Sequence, residues 1–143
     1  MAVSASSVEV TEKIKDILEG AKTRLGLQGV YYGDTDLIPK FPSATVESGA
    51  KGRTITGVHK FELNLITNIF IYHGKLQGAS ITRKETEEFA ELVETELHRN
   101  KTLDGLIIFG FVASMDPGVV VKSSVMLRTT RLIWQGISRE TFV

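Results

Sequence analysis

The chain has 143 residues, 42% hydrophobic and 24% charged, with no cysteine. That is the size and make-up of one folded domain, not of a disordered segment, and it excludes disulfides, thiolate metal sites and a cysteine nucleophile. Seventeen basic residues balance seventeen acidic ones, so there is no overall surplus with which to grip nucleic-acid phosphates.

The opening MAVSASSVEVTEK lacks a basic segment leading into an apolar stretch and predicts no secretory signal. No run approaches the roughly 18 apolar residues of a membrane span, so no membrane association is expected and a cytoplasm is the default compartment. The glycosylation triplet Asn100-Lys101-Thr102 is then a chance match.

Residues 1–6 are expected to be a flexible lead into a first helix. Val10, Ile14, Ile17, Leu18, Ala21 and Leu25 recur at steps of three and four, which places them on one helical face. Ser6 and Glu9 are spaced as a capping box, Gly26 is a stop, and Gly20 weakens the middle. Val30-Tyr31-Tyr32 favours strand, and Gly33-Asp34-Thr35-Asp36 interrupts it. Phe41 to Glu47 reads as a short strand with Pro42 at its beginning or on an edge. Ser48 to Arg53 has turn composition, which predicts a loose hairpin whose tip carries Lys51 and Arg53.

From Val58 to Tyr72, Phe61, Leu63, Leu65, Ile69 and Ile71 alternate along one face of a long strand. Its other face begins polar at Lys60, Glu62 and Asn64 and ends with Ile66, Phe70 and Tyr72, to be covered by the fold or by a partner. A second helix is expected from Thr82 to about Arg99, with a Thr82–Glu85 capping box and a stripe of Phe89, Leu92, Val93 and Leu97. Glu85, Glu87, Glu88, Glu91, Glu94 and Glu96 populate the rest, and His98 and Arg99 suit the dipole at its end. Leu106 to Met115 reads as a strand, Asp116-Pro117-Gly118 as a turn, and Val119 to Trp134 as its antiparallel partner. The sum is an α+β fold: residues 1–143 as a single domain, a mostly antiparallel sheet with two main helices on one face.

Candidate chemistry is sparse. His59, His73 and His98 lack the tight spacing of a zinc motif. His73-Gly74 entering a helix would suit carbonyl polarisation in a small thioesterase-like enzyme, yet such a site also needs a placed acid or base. A turn at a strand end is the plainer reading. No P-loop and no Gly-x-Ser-x-Gly elbow is present. The glutamates form either a solvated face, a cation site or an acidic docking surface. Lys122, Arg128, Arg131 and Arg139 either meet a partner or keep a sheet edge soluble.

The element order is that of an amphipathic helix, a β segment opening Phe41-Pro42-Ser43-Ala44-Thr45-Val46, a long alternating strand, and a capped helix ending Leu97-His98-Arg99-Asn100-Lys101-Thr102-Leu103-Asp104-Gly105. From Val8 to Phe142 this layout resembles the tail terminator (tail completion) family of long-tailed bacteriophages, most characteristically in the Asn100–Gly105 link. The resemblance implies a structural virion protein: a ring, typically of six copies, at the head-proximal end of the tail tube. There it would stop tube polymerisation and join the tail to the head connector, without catalysis or cofactor. The expected partners are other copies of the chain, the tail tube protein and a head-completion protein, with genomic DNA in transient passage and no sequence-specific contact. The implied location is the neck of the virion, after assembly in the host cytoplasm. On this reading Lys51 and Arg53 reach a neighbour or the tube, Ile66, Phe70 and Tyr72 form a covered face, and Arg128 and Arg131 meet a partner. Another neck or head–tail joining protein remains open, as does the thioesterase-like enzyme.

Overall fold

The computed structural model describes residues 6–33, 38–76 and 83–141. Among these residues, three helices and five strands follow in the order α1 (Ser7–Gly20), α2 (Lys22–Leu25), β1 (Gly29–Tyr32), β2 (Ser43–Gly57), β3 (Lys60–Lys75), α3 (Arg83–Arg99), β4 (Phe109–Lys122) and β5 (Val125–Thr141). The strands form one sheet in the order β1-β2-β3-β5-β4. Only β1 and β2 run parallel; the remaining pairs are antiparallel. The α+β class expected from the sequence holds.

Local chemistry sets the first helix. Ser6 is extended, and its hydroxyl accepts a hydrogen bond from the Glu9 amide at 3.0 Å, satisfying one of the orphan donors of α1. Ser6 thus belongs to the helix start; the rest of the expected flexible lead lies outside the described residues. Val10, Ile14 and Leu18 are fully buried on one face. The continuous helix expected as far as Leu25 is instead divided after Gly20, where helix propensity is lowest, and α2 closes on Gly26 with φ 84°.

The core lies between the helices and one sheet face. Val10, Ile14, Leu18, Leu25, Ala90, Val93 and Leu97 of the helices meet Ala44, Val46, Leu63, Leu65, Ile69, Ile71, Leu132 and Trp134 of the sheet. The strict alternation of Leu63, Leu65, Ile69 and Ile71 is why β3 presents a continuous apolar face. Thr67 interrupts it without penalty, because its hydroxyl meets Thr11 at 3.1 Å, and Thr11 in turn meets Ser48 at 2.8 Å. Trp134 is fully buried, and its indole lies across the paired glycines Gly110 and Gly136. A Cβ would stand 2.1 Å from the ring at Gly110 and 2.4 Å at Gly136, so only glycine fits either place.

Two expected turns are strand. Ser48 to Arg53 belongs to β2, in which Lys51 pairs with Leu65 and Arg53 with Leu63. A register shift between Ser48 and Lys51 takes up one extra residue, and the hairpin turns at Gly57–Lys60 instead. Lys51 and Arg53 are therefore mid-strand, not at a tip. Asp116-Pro117-Gly118 likewise continues β4, which lies at the end of the strand order. An edge strand tolerates proline because one side of it has no ladder to lose. That hairpin turns at Ser123 and Ser124, with φ of 49° and 64°.

The stripe of α3 also differs. Thr86, Ala90, Val93, Glu96 and Leu97 face inward, Phe89 is half-buried, and Leu92 is 54% exposed. The buried residues fall at steps of three and four from Thr86, a face rotated away from Leu92. The Thr82 half of the expected capping box and residues 34–36 of the expected interruption lie outside the described residues.

Asn100 to Gly105 forms the expected helix stop. The Asn100 side-chain amide donates to Glu96 O at 2.9 Å, and Leu103, Asp104 and Gly105 take positive φ in succession. Leu103 is buried within this link, while Asp104 pairs with Lys13 of α1 at 2.7 Å. The link is thus anchored by Leu103 and Asp104 while Lys101, Thr102, Asp104 and Gly105 stay exposed, and β4 starts at Phe109, later than the expected Leu106.

Candidate functional site

The two hairpins turn at opposite ends of the sheet. Lys60 of β3, beside the β2–β3 turn, pairs with Thr141, whereas Lys75 pairs with Leu127 near the β4–β5 turn. The basic candidates consequently fall into two groups. Arg53 pairs with Leu63 and Arg128 with Gly74, eleven residues apart along β3, or about 35 Å at strand rise. They do not form one site.

At the first end, residues 48–60 contain Lys51, Arg53 and Lys60 and no acidic residue. All but Gly49 are exposed, including Ile55 at 75% and Val58 at 83%. Arg53 donates from Nε to Glu140 at 2.8 Å. That hydrogen bond, and then the carboxylate charge, hold the guanidinium pKa above its ordinary value. Glu140 is only 3% exposed, so its buried charge is met by a partner that reaches in from the surface.

At the second end, Arg131 reaches Asp116, its cross-strand partner, at 3.5 Å. Arg128, paired between Val119 of β4 and Gly74 of β3, is half-buried, with its Nε buried and unpartnered. Tyr72 is 2% exposed and packs with Ile38 and Leu127 in a small second cluster, against which Phe70, Phe41, Val120 and Val125 lie. The candidate covered face is thus covered by the chain itself at Tyr72, while Ile66 and Phe70 remain half-buried. An open pocket of about 420 Å³ adjoins this cluster, lined by Ile38, Pro39, Phe41, Lys75, Lys122, Ser123, Val125 and Leu127.

Between the ends, the sheet face away from the helices carries an apolar strip that the candidate residues include only at Ile66. The register sets Phe109 beside Ile137, Gln135 between Phe111 and Ile66, and Ser114 beside Ile133. Phe109 is 40% exposed and stacks on Phe111 with ring centroids 5.5 Å apart. The signal was present in the sequence, since Phe109, Phe111, Ile133 and Ile137 sit at period-two positions opposite the core-facing residues.

Two of the three histidines, His73 and His98, make internal contacts. His73 does not open onto a helix or a turn: it lies inside β3, beside a register shift between Tyr72 and Gly74. It is 3% exposed, its Nε2 is 2.8 Å from the Thr130 hydroxyl, and its ring meets Phe89 edge-on. Burial, and then the nearby charge of Arg128, push its pKa down from 6.5 to about 4. His98 accepts the Val112 amide at Nε2, tying the end of α3 to β4, which places its proton on Nδ1. His59 occupies the β2–β3 turn with φ 59°. Among the described residues no three His, Asp or Glu side chains are grouped to hold a metal ion.

The glutamates of α3 divide. Glu96 is buried and bonds Arg24 of α2 at 2.8 Å, and Arg83–Glu87 and Lys84–Glu88 pair along the helix surface. Glu91 and Glu94 flank the exposed Leu92. No helix among the described residues is long and apolar enough to cross a membrane. Comparison of the sequence with protein families and with curated proteins finds no match.

Proposed function

We propose that the chain is a structural virion protein that forms a ring, of six copies by the family resemblance, capping the head-proximal end of a phage tail tube. In this role it ends tube polymerisation and presents the surface for head–tail joining, with no catalytic step. The observation that carries the reading is the pairing of unlike surfaces on one chain. The hairpin of residues 48–60 is basic, free of acidic residues and tipped by exposed Ile55 and Val58, while α3 holds six glutamates against three basic residues. Surfaces that complement each other at different places on one subunit favour head-to-tail contacts, which close into rings when the rotation allows. Arg53 is engaged by Glu140, leaving Lys51 and Lys60 as the charges that the hairpin presents. The apolar strip on the open sheet face adds a surface suited to burial in an assembly.

Native mass spectrometry of the purified chain, alone and with its tail tube protein, tests the reading. A ring-sized species is expected in at least one of the two mixtures. A strictly monomeric chain in both would sink it.

A further inference from the structure

The hairpin of β2 and β3 runs past the covered part of the sheet. Full burial on β3 begins only at Leu63, and every residue from Ala50 to Lys60 is exposed. A two-stranded ribbon with neither face covered is marginal by itself. Its end is nevertheless apolar, with Ile55 75% and Val58 83% exposed. Lys51, Arg53 and Ile55 alternate onto one face. Arg53 is taken up by Glu140, while Lys51 and Lys60 make no ion pair among the described residues. The hairpin thus ends in an aliphatic knob with two lysines beside it.

A groove of the opposite character lies between α3 and β4. Buried Ala90 and half-buried Met115 line it, Pro117 forms its β4 rim, and Glu87 and Glu91 form its helix rim. Arg83 also lines it and is paired with Glu87 at 3.1 Å. Glu87, Glu91 and Glu94 follow at steps of four and three, along one side of the helix. His98, four residues further, accepts the Val112 amide of β4, so that side is the one bordering β4. Glu91 and Glu94 make no ion pair among the described residues. The groove holds about 280 Å³. That exceeds the roughly 150 Å³ in which an apolar cavity takes a benzene-sized guest, so an aliphatic side chain fits.

The knob cannot fill the groove of its own subunit. Ile55 pairs with Phe61, whereas Pro117 pairs with Thr130 and Thr130 with Ile71, which sets tip and groove ten residues apart along β3. At strand rise that is about 33 Å. An occupant must come from another chain, and a second copy carries the matching shape and charge.

We propose that the hairpin tip of one copy docks in the α3–β4 groove of the next. Ile55 and Val58 enter against Met115 and Pro117, and Lys51 and Lys60 lie along Glu91 and Glu94. The inference rests on the ring reading in taking a copy of this chain as the occupant. Because the two patches differ, each copy in a pair keeps one tip and one groove open, and the contact repeats head to tail.

Single cysteines test the contact, because the chain has none of its own. Val58→Cys and Pro117→Cys chains are mixed under mild oxidation, with and without the tail tube protein, and the products weighed. A disulfide-linked heterodimer is expected in the mixture, and little linking of either variant alone. Lys51→Glu with Lys60→Glu in the first chain should slow linking about tenfold or more, and Glu91→Lys with Glu94→Lys in the second should restore it. Equally fast linking of Val58→Cys to itself means tip meets tip and overturns the proposal, as does no heterodimer in either condition. Shielding of Val58→Cys from alkylation by the tail tube protein, without the heterodimer, assigns the tip to the tube and overturns it too. A ring-sized species without the link removes this contact and leaves the ring reading standing. The link in a chain that never exceeds open oligomers keeps the contact and removes the ring.

Discussion

His73 stands in the interior as a neutral ring between Thr130 and Phe89, and that position has a pH signature. Its pKa is about 4 in the folded chain, below the ordinary 6.5, through burial first and Arg128 second. Between those values the unfolded chain binds a proton that the folded chain refuses, so stability is full above about pH 6.5 and falls as the pH drops toward 4. The loss attributable to this residue reaches about 3 kcal/mol at most. Urea unfolding of wild type and His73→Gln at pH 7 and pH 4.5 checks it: the gap in stability between the two pH values should narrow in the variant. An unchanged gap would mean that other groups carry the acid sensitivity. Had His73 been a surface residue at a strand end, as its Gly74-Lys75 context suggests, no such signature would be expected.

At the level of elements, α3 is secured by what it buries rather than by its apolar stripe alone. Glu96 meets Arg24 at 2.8 Å and Arg99 at 3.7 Å, joining α2 to α3 over the core. Arg24 is 59% exposed, so the pair is screened and its worth is discounted. Glu96→Gln is expected to cost about 1 kcal/mol in urea unfolding at pH 7, while Glu91→Gln on the exposed face stays within about 0.5 kcal/mol. Equal costs would place Glu96 among the solvated glutamates. Sequence distinguished these residues only by position, because the partner on α2 is 72 residues away. The same division runs through the fold. Ser6 with Glu9, Gly26 and the alternation from Leu63 to Ile71 are local signals and were legible. The two hairpin turns were not, because Gly49, Gly52 and Pro117 carry turn composition inside strands whose pairing is set by distant residues. Tyr72 was legible as apolar, but not that Ile38 and Leu127 would cover it.

For the whole molecule, the helices cover one sheet face, the Ile38 segment covers the other at Tyr72 and Leu127, and both hairpin turns stay exposed. Such a distribution separates what folds the chain from what it offers to others. Ile55→Ser with Val58→Ser should therefore leave the unfolding free energy of the subunit within about 0.5 kcal/mol. The same variant should raise the concentration at which any assembly dissociates, measured by sedimentation or mass photometry. Unaltered dissociation would remove the hairpin tip from the contact. Of the candidate surface, Lys51, Arg53, Ile66, Phe70, Arg128 and Arg131 do reach or approach the exterior, but along the whole length of the sheet and not at one place. Sequence could nominate them singly; only the register of β3 shows how far apart they lie.

That register also has a mechanical meaning. β3 spans the molecule from one hairpin turn to the other, 16 residues or about 50 Å, bonded to β5 along its length and to β2 from Lys60 to Tyr72. Tension applied between the two ends runs parallel to these strands, so it loads the ladders in shear, and many hydrogen bonds must yield together. Tension across the sheet would instead open them one after another from an edge. A subunit held at its two hairpins is thus stiffest along the line joining them.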